Sequence, residues 1–178
     1  MDESITSLSD LVEPKDLYSY FPELEKDEHF KVTSPCNPIY NCIAWAMGVD
    51  NWWVDPCSRA GHWWPSPVAR DGSPESLSAA FSYVGFEPCE DGLPEKGYDK
   101  VALYMDQAKN EWTHAARIIS QDEYHSKIGR LFDIHHSSDV IFDGTDYGVK
   151  YAYMRRPIAL RDKTAKMIAR DEGDVVIT

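Results

Sequence analysis

The segment Tyr40-Asn41-Cys42-Ile43-Ala44-Trp45-Ala46 constrains the fold more than any other part of the chain. Ser34-Pro35-Cys36-Asn37-Pro38 leads into it, and Gly48 closes it. Pro38 holds Asn37 extended and bars an earlier helix start. Asn41 is a favourable N-cap, because its side chain can accept an orphan backbone N–H. The pattern predicts a short helix that begins at Asn41 or Cys42. A cysteine in the first turn of a helix lies at the positive end of the dipole, where the thiolate is favoured. The backbone N–H groups there can also hold an oxyanion. Those are the requirements of a cysteine nucleophile. The competing reading is a buried core cysteine between Tyr40 and Trp45, since free cysteines are often buried.

The strands are expected further along. Residues 101–105 read as a buried strand, 106–111 as a polar turn, and 113–119 as the antiparallel partner in a hairpin. Residues 123–128 read as a third strand ended by Gly129, and residues 149–154 as a last strand stopped by Arg155-Arg156-Pro157. Asp133-Ile134-His135-His136 reads as the start of a polar loop. Ser73 as N-cap and Pro74 at the first helical position predict a second helix, with Leu77, Ala80, Phe81 and Val84 on its apolar face and Gly85 at its end. The spacing of Leu160, Thr164, Met167 and Ile168 predicts a helix over 159–170, followed by a fraying tail. Trp52-Trp53 and Trp63-Trp64 lie in a stretch rich in turn formers, expected to pack over the core as an Ω-type loop, with Trp64 beside a cleft.

Together these elements predict an α+β fold, a small antiparallel sheet with the Cys42 helix packed on it. Residues 1–33 are read as an N-terminal wrap of short helical pieces broken at Pro14 and Pro22, with Leu8, Leu11, Leu17, Tyr18, Phe21 and Leu24 covering the domain. Residues 34–158 form the α+β domain, and 159–178 a helix and tail, one domain in all. The net charge of −12 argues against nucleic acid and anionic membranes as partners. No apolar run is long enough to cross a bilayer, and Met1-Asp2-Glu3-Ser4 opens no secretory segment. The expected location is the cytoplasm, with signal-less export left open. The four cysteines are irregularly placed and do not read as a disulfide scaffold.

His114 enters its strand straight after the hairpin turn. A cysteine at a helix start and a later strand histidine resemble papain-like cysteine hydrolases, in particular the compact NlpC/P60 and CHAP branch. The resemblance covers residues 36–136 and rests on element order. It implies Cys42 as nucleophile and His114 as the base that takes its proton. It also implies His136 or Asp133 as the group that orients the imidazole. The Cys42 N–H and the Asn41 amide would hold the oxyanion. The reaction so implied is hydrolysis or deamidation of an amide in a protein or peptide-like substrate, through a thioester. Two departures stand out. A Trp-rich loop and a second helix intervene before the sheet, and His125 or Ser126 falls where the third member is usually found. At the level of whole motifs the chain also resembles an uncharacterised bacterial family. The matching pieces are Tyr40 to Ala46, Trp64-Pro65, Lys100-Val101-Ala102-Leu103-Tyr104, Thr113-His114-Ala115-Ala116-Arg117, Ser126-Lys127-Ile128-Gly129 and Tyr147-Gly148.

Two other readings compete. Cys36, Cys42, Cys57 and His62 offer zinc ligands, but their spacings are not the usual tight pairs, so no metal and no cofactor is expected. Trp52, Trp53, Trp63 and Trp64 could instead anchor a partner protein on a non-catalytic, aromatic-faced domain. Lys127 is read as pairing with an acidic substrate or snorkelling to solvent, and His135 and His136 as a solvated loop.

Overall fold

The 101–119 hairpin lies at the centre of a seven-stranded antiparallel sheet. The computed structural model of the chain describes residues 13–137 and 142–173. In chain order its strands and helices are β1 (Lys31–Val32), α1 (Cys42–Met47), β2 (Trp53–Val54), β3 (His62–Trp63), α2 (Pro74–Tyr83), β4 (Glu87–Cys89), β5 (Tyr98–Asp106), β6 (Glu111–Ser120), β7 (Glu123–Lys127), β8 (Asp133–His136), β9 (Val149–Pro157) and α3 (Arg161–Gly173). The sheet order is β1-β8-β7-β6-β5-β9-β4, and β2 and β3 form a separate two-stranded parallel ladder. An α+β architecture is thus observed, with a sheet larger than the sequence suggested.

Alternation along β5 and β6 sorts the apolar side chains into two layers. On one face, Val101, Leu103 and Ala115 meet α1, α2 and the Trp-rich loop, with Ile43, Met47 and Phe81 fully buried. On the other, Ala102, Tyr104, Ala116 and Ile118 meet the N-terminal wrap. That wrap contains short 3-10 helices at Pro14–Ser19 and Pro22–Lys26, and its Leu17, Phe21 and Leu24 are buried. Leu8 and Leu11 lie outside the described residues, as does the tail beyond 173. Lys31 and Val32, counted with the wrap, add an edge strand by pairing with His135 and Ile134.

Asp133–His136 is a strand rather than the start of a loop. Ile134 and His136 pack under the sheet while Asp133 and His135 take the helix face, so the polar pattern has the two-residue period of a strand. The last strand continues through Arg155 and Arg156 to Pro157, because β4 and β5 pair with it along this length. Gly148 begins the approach to β9 where a Cβ would stand 2.1 Å from the Met105 carbonyl oxygen, so only glycine fits.

Candidate functional site

Asn41 caps α1 and does more. Its Oδ1 accepts from Ala44 N at 3.0 Å and Val54 N at 3.2 Å, and its Nδ2 donates to Val54 O at 2.7 Å. The amide therefore ties β2 to the start of α1, with its oxygen and one of its two N–H groups committed there. Cys42 follows at 7% exposure. Burial pushes its thiol up to about 11, although backbone groups at Ala115 and Ile43 and the Lys127 charge act the other way. Helix-terminal stabilisation of a thiolate is real, but desolvation outweighs it here.

Lys127 shares this face and is fully buried. Its Nζ donates to the Leu131 carbonyl and stands 4.9 Å from the centre of the Tyr40 ring. Burial lowers its pKa, with Asp133, Cys36 and Cys42 opposing the shift. Tyr40 donates to Asp133 Oδ2 at 2.7 Å, while Asp133 Oδ1, also buried, has no hydrogen-bond partner. Cys42 and Asp133 thus belong to one polar cluster, bridged by Lys127 and Tyr40.

His114 is not part of it. Consecutive strand residues point to opposite faces, and on β6 it is Ala115 that faces Cys42. His114 lies on the other face, its ring stacked on Tyr147 at 4.2 Å and 7°. Its Nε2 is 2.9 Å from Ser126 Oγ, and Ser126 Oγ is 2.8 Å from His136 Nε2. His136 Nδ1, 2.7 Å from the Ser137 carbonyl, must donate there, so in the neutral ring Nε2 accepts from the Ser126 hydroxyl. Ser126 Oγ then accepts from His114 Nε2–H, which leaves His114 Nδ1 deprotonated, and that atom has no partner. Burial, and then the His136 charge, hold the His114 pKa well below 6.5. All three side chains of this chain are fully buried, so it is a hydrogen-bonded core element.

The expected catalytic set is therefore divided by the sheet: Cys42 and Asp133 above, His114 and His136 below. No hydrogen bond joins Cys42 to His114. Ser126, read as standing at the usual third-member position, and its neighbour Lys127 fall one in each cluster, and Lys127 does not snorkel to solvent because its amine is held inside by the Leu131 carbonyl. The signal for this division was the strand alternation of Ser126-Lys127 and of His114-Ala115, in which small Ala115 marks where a helix can sit against the sheet.

Trp64 does not line a cleft. It is 3% exposed, donates to Ala69 O at 3.2 Å and stacks on Trp112. Trp63 is equally buried, so only Trp52 and Trp53 remain partly exposed, in a cleft with Ile39, His62 and Arg130. Cys36, Cys42, Cys57 and His62 do not assemble into a zinc site. Cys36 and Cys57 are exposed, Cys42 is buried, and His62 Nδ1 bonds Asp55 at 2.9 Å.

A site the sequence did not reveal lies at the other end of α1. A cavity of about 300 Å³ is lined by Gly48, Asp99, Lys100, Arg117, Arg156 and Arg161, among others. Asp99 Oδ2 accepts from Arg156 at 3.1 Å and from Arg161 at 3.0 Å, and Asp99 Oδ1 accepts a second bond from Arg161. Burial pushes the Asp99 carboxyl up, but these guanidiniums outweigh it and leave it low. Arg117 has no carboxylate. Its guanidinium lies 3.9 Å over the Trp45 ring, and its Nε donates to Trp45 O at 2.6 Å. Its terminal nitrogens have no acceptor among the described residues. Burial, followed by the Arg161 charge, brings the Arg117 pKa down to about 10. Three guanidiniums thus line the cavity, and two of them are bound to Asp99.

Residues 31–155 match the family described as a domain of unknown function (DUF7689), and the chain belongs to that family. The matched span runs from β1 to Arg155 in β9 and includes both buried clusters and Arg117. No curated protein and no solved structure matches the chain. Among the described residues no helix is long and apolar enough to cross a membrane.

Proposed function

We propose that this chain is a binding domain whose ligand presents a carboxylate or phosphate group to Arg117, Arg156 and Arg161. The observation that carries this reading is the Arg117 guanidinium, half-buried at the cavity, stacked on Trp45, and bonded only through its Nε among the described residues. A half-buried guanidinium keeps its free donors turned to the cavity mouth, and an arriving oxyanion can replace the water on them. A guanidinium offers two parallel N–H donors to such a group, a geometry that suits carboxylates and phosphates alike. Trp45 stacks beneath Arg117 and fixes the plane of the fork. Asp99 keeps Arg156 and Arg161 in place before the ligand arrives and competes with it afterwards. An acidic peptide side chain or C-terminus is within this ligand class. The partly exposed Trp52 and Trp53 offer a second, aromatic contact surface for a protein partner.

Isothermal titration of the full chain with inorganic phosphate and with citrate tests the proposal. Saturable one-to-one binding of either anion is expected, lost in Arg117→Gln and tightened in Asp99→Asn, which removes the competing carboxylate. Arg130→Gln, at the Trp53 cleft, should leave it unchanged. Absence of binding, or equal binding by Arg117→Gln, overturns the reading.

A second reading keeps the cysteine hydrolase and gives the role of the base to Lys127. It is favoured by the lowered pKa of that amine and by its electrostatic action on the Cys42 thiol from the same face of the sheet. It requires the Cys42 cover to open, because the thiol is buried at rest. Hydrolysis of a peptide amide that disappears in both Cys42→Ser and Lys127→Met would favour it over the binding domain.

A further inference from the structure

A third cluster lies where β7 and β8 run together, one cross-strand pair along from Lys127 and Asp133 on the same face. Strand alternation puts Glu123, His125 and His135 on one face, and the register sets His125 directly opposite His135. His125 Nε2 is 2.8 Å from Glu123 Oε1, and His135 Nδ1 is 3.3 Å from the same oxygen. The two imidazoles stack with centroids 3.5 Å apart. One ligand atom from each residue lies within 4.8 Å of the other two, the one such set of three among the described residues. The side chains are 19–33% exposed, so an ion can reach them from solvent.

We infer that Glu123, His125 and His135 form a binding site for one divalent transition-metal ion of the zinc class. Two imidazoles and a carboxylate suit zinc and its neighbours rather than calcium or magnesium, which prefer oxygen donors alone. Zinc bonds to nitrogen and oxygen are about 2.0–2.2 Å, so tetrahedral ligand atoms sit about 3.3–3.5 Å apart. The observed 3.3 Å separation matches that spacing, and the 2.8 Å one must widen when the ion replaces the hydrogen bond. The ion takes the position between the two nitrogens and Glu123 Oε1, and each ring moves its proton to its other nitrogen. The rings stand parallel in the free chain, so at least one must swing out of the stack for both lone pairs to point at one ion. Three protein ligands leave a fourth position open to solvent. The loosely spaced Cys36, Cys42, Cys57 and His62 contribute nothing to this site.

The test uses the full chain stripped with chelator and dialysed, then titrated with zinc by calorimetry and with cobalt by visible absorption. One ion per chain and the visible bands of four-coordinate cobalt are expected. His135→Ala and Glu123→Gln should each weaken zinc by at least about tenfold, since loss even of an outer-shell partner has that effect. Cys57→Ser and Arg117→Gln should bind as the wild type does, the latter separating this site from the anion cavity. Circular dichroism of each variant establishes that it is folded. No saturable zinc binding by the wild-type chain, or undiminished binding by a folded His125→Ala/His135→Ala chain, overturns the inference.

Discussion

Cys42 should be the slowest of the four thiols to alkylate, the reverse of what its helix-terminal position suggests by itself. Alkylation proceeds through the thiolate. With its pKa pushed to about 11, the thiol is ionised at pH 7 in about one molecule in 10,000, against about 3 in 100 for a free thiol of pKa about 8.5. The ratio is about 300-fold before any allowance for steric cover. Cys36 and Cys57 are exposed and provide the internal standard. The assay is the rate of iodoacetamide labelling against pH, with each modified residue read by peptide mass. Cys42 should lag Cys36 and Cys57 by at least about 100-fold at neutral pH and show no inflection below pH 9. His114→Ala should not change that rate, because His114 faces away from Cys42. The reasoning is refuted if Cys42 labels as fast as Cys36 with an inflection below pH 8 that vanishes in His114→Ala.

Two further outcomes follow from the buried polar groups. Asn41→Ala removes the α1 cap, worth about 1 kcal/mol, and strands the buried Val54 N–H and C=O at about 1–3 kcal/mol each. Urea unfolding should therefore show a loss of at least about 3 kcal/mol, while a loss under about 1 kcal/mol would mean that Asn41 does not hold β2. The second outcome concerns pH. His114 is held neutral in the folded chain, with its pKa below the 6.5 of the unfolded chain, so below that pH the unfolded state binds a proton that the folded state does not. Its stabilisation is present above pH 6.5 and is lost as pH falls, by about 1.4 kcal/mol per pH unit. Denaturation midpoints measured from pH 7 to 5 should fall, and His114→Gln should flatten the slope; an unchanged slope would contradict the buried neutral state.

The sequence revealed the features written in local periodicity. Asn41 and Gly48 bracket α1, Ser73 and Pro74 open α2, and the alternation of β5 and β6 shows the hairpin. It did not reveal β1, β4 or β8, because two to four residues hold too little pattern to separate a strand from a loop. Cys42 and His114 were each visible as chemistry-bearing residues, but their order along the chain does not say which face of β6 each meets. That depends on the register between α1 and β6, which only tertiary packing sets. The arginine cavity was least legible of all. Arg117, Arg156, Arg161 and Asp99 come from three strands and a helix, and none is adjacent in sequence to the residues it balances except through the fold.

The most direct test of the central claim is the arginine side-chain NMR spectrum of the full chain. Titration with inorganic phosphate should shift the Nε–Hε signals of Arg117, Arg156 and Arg161 along one saturating curve, while those of Arg130 and Arg155 stay in place. Uniform small shifts across all the arginines, or no movement of Arg117, would contradict an anion site in this cavity.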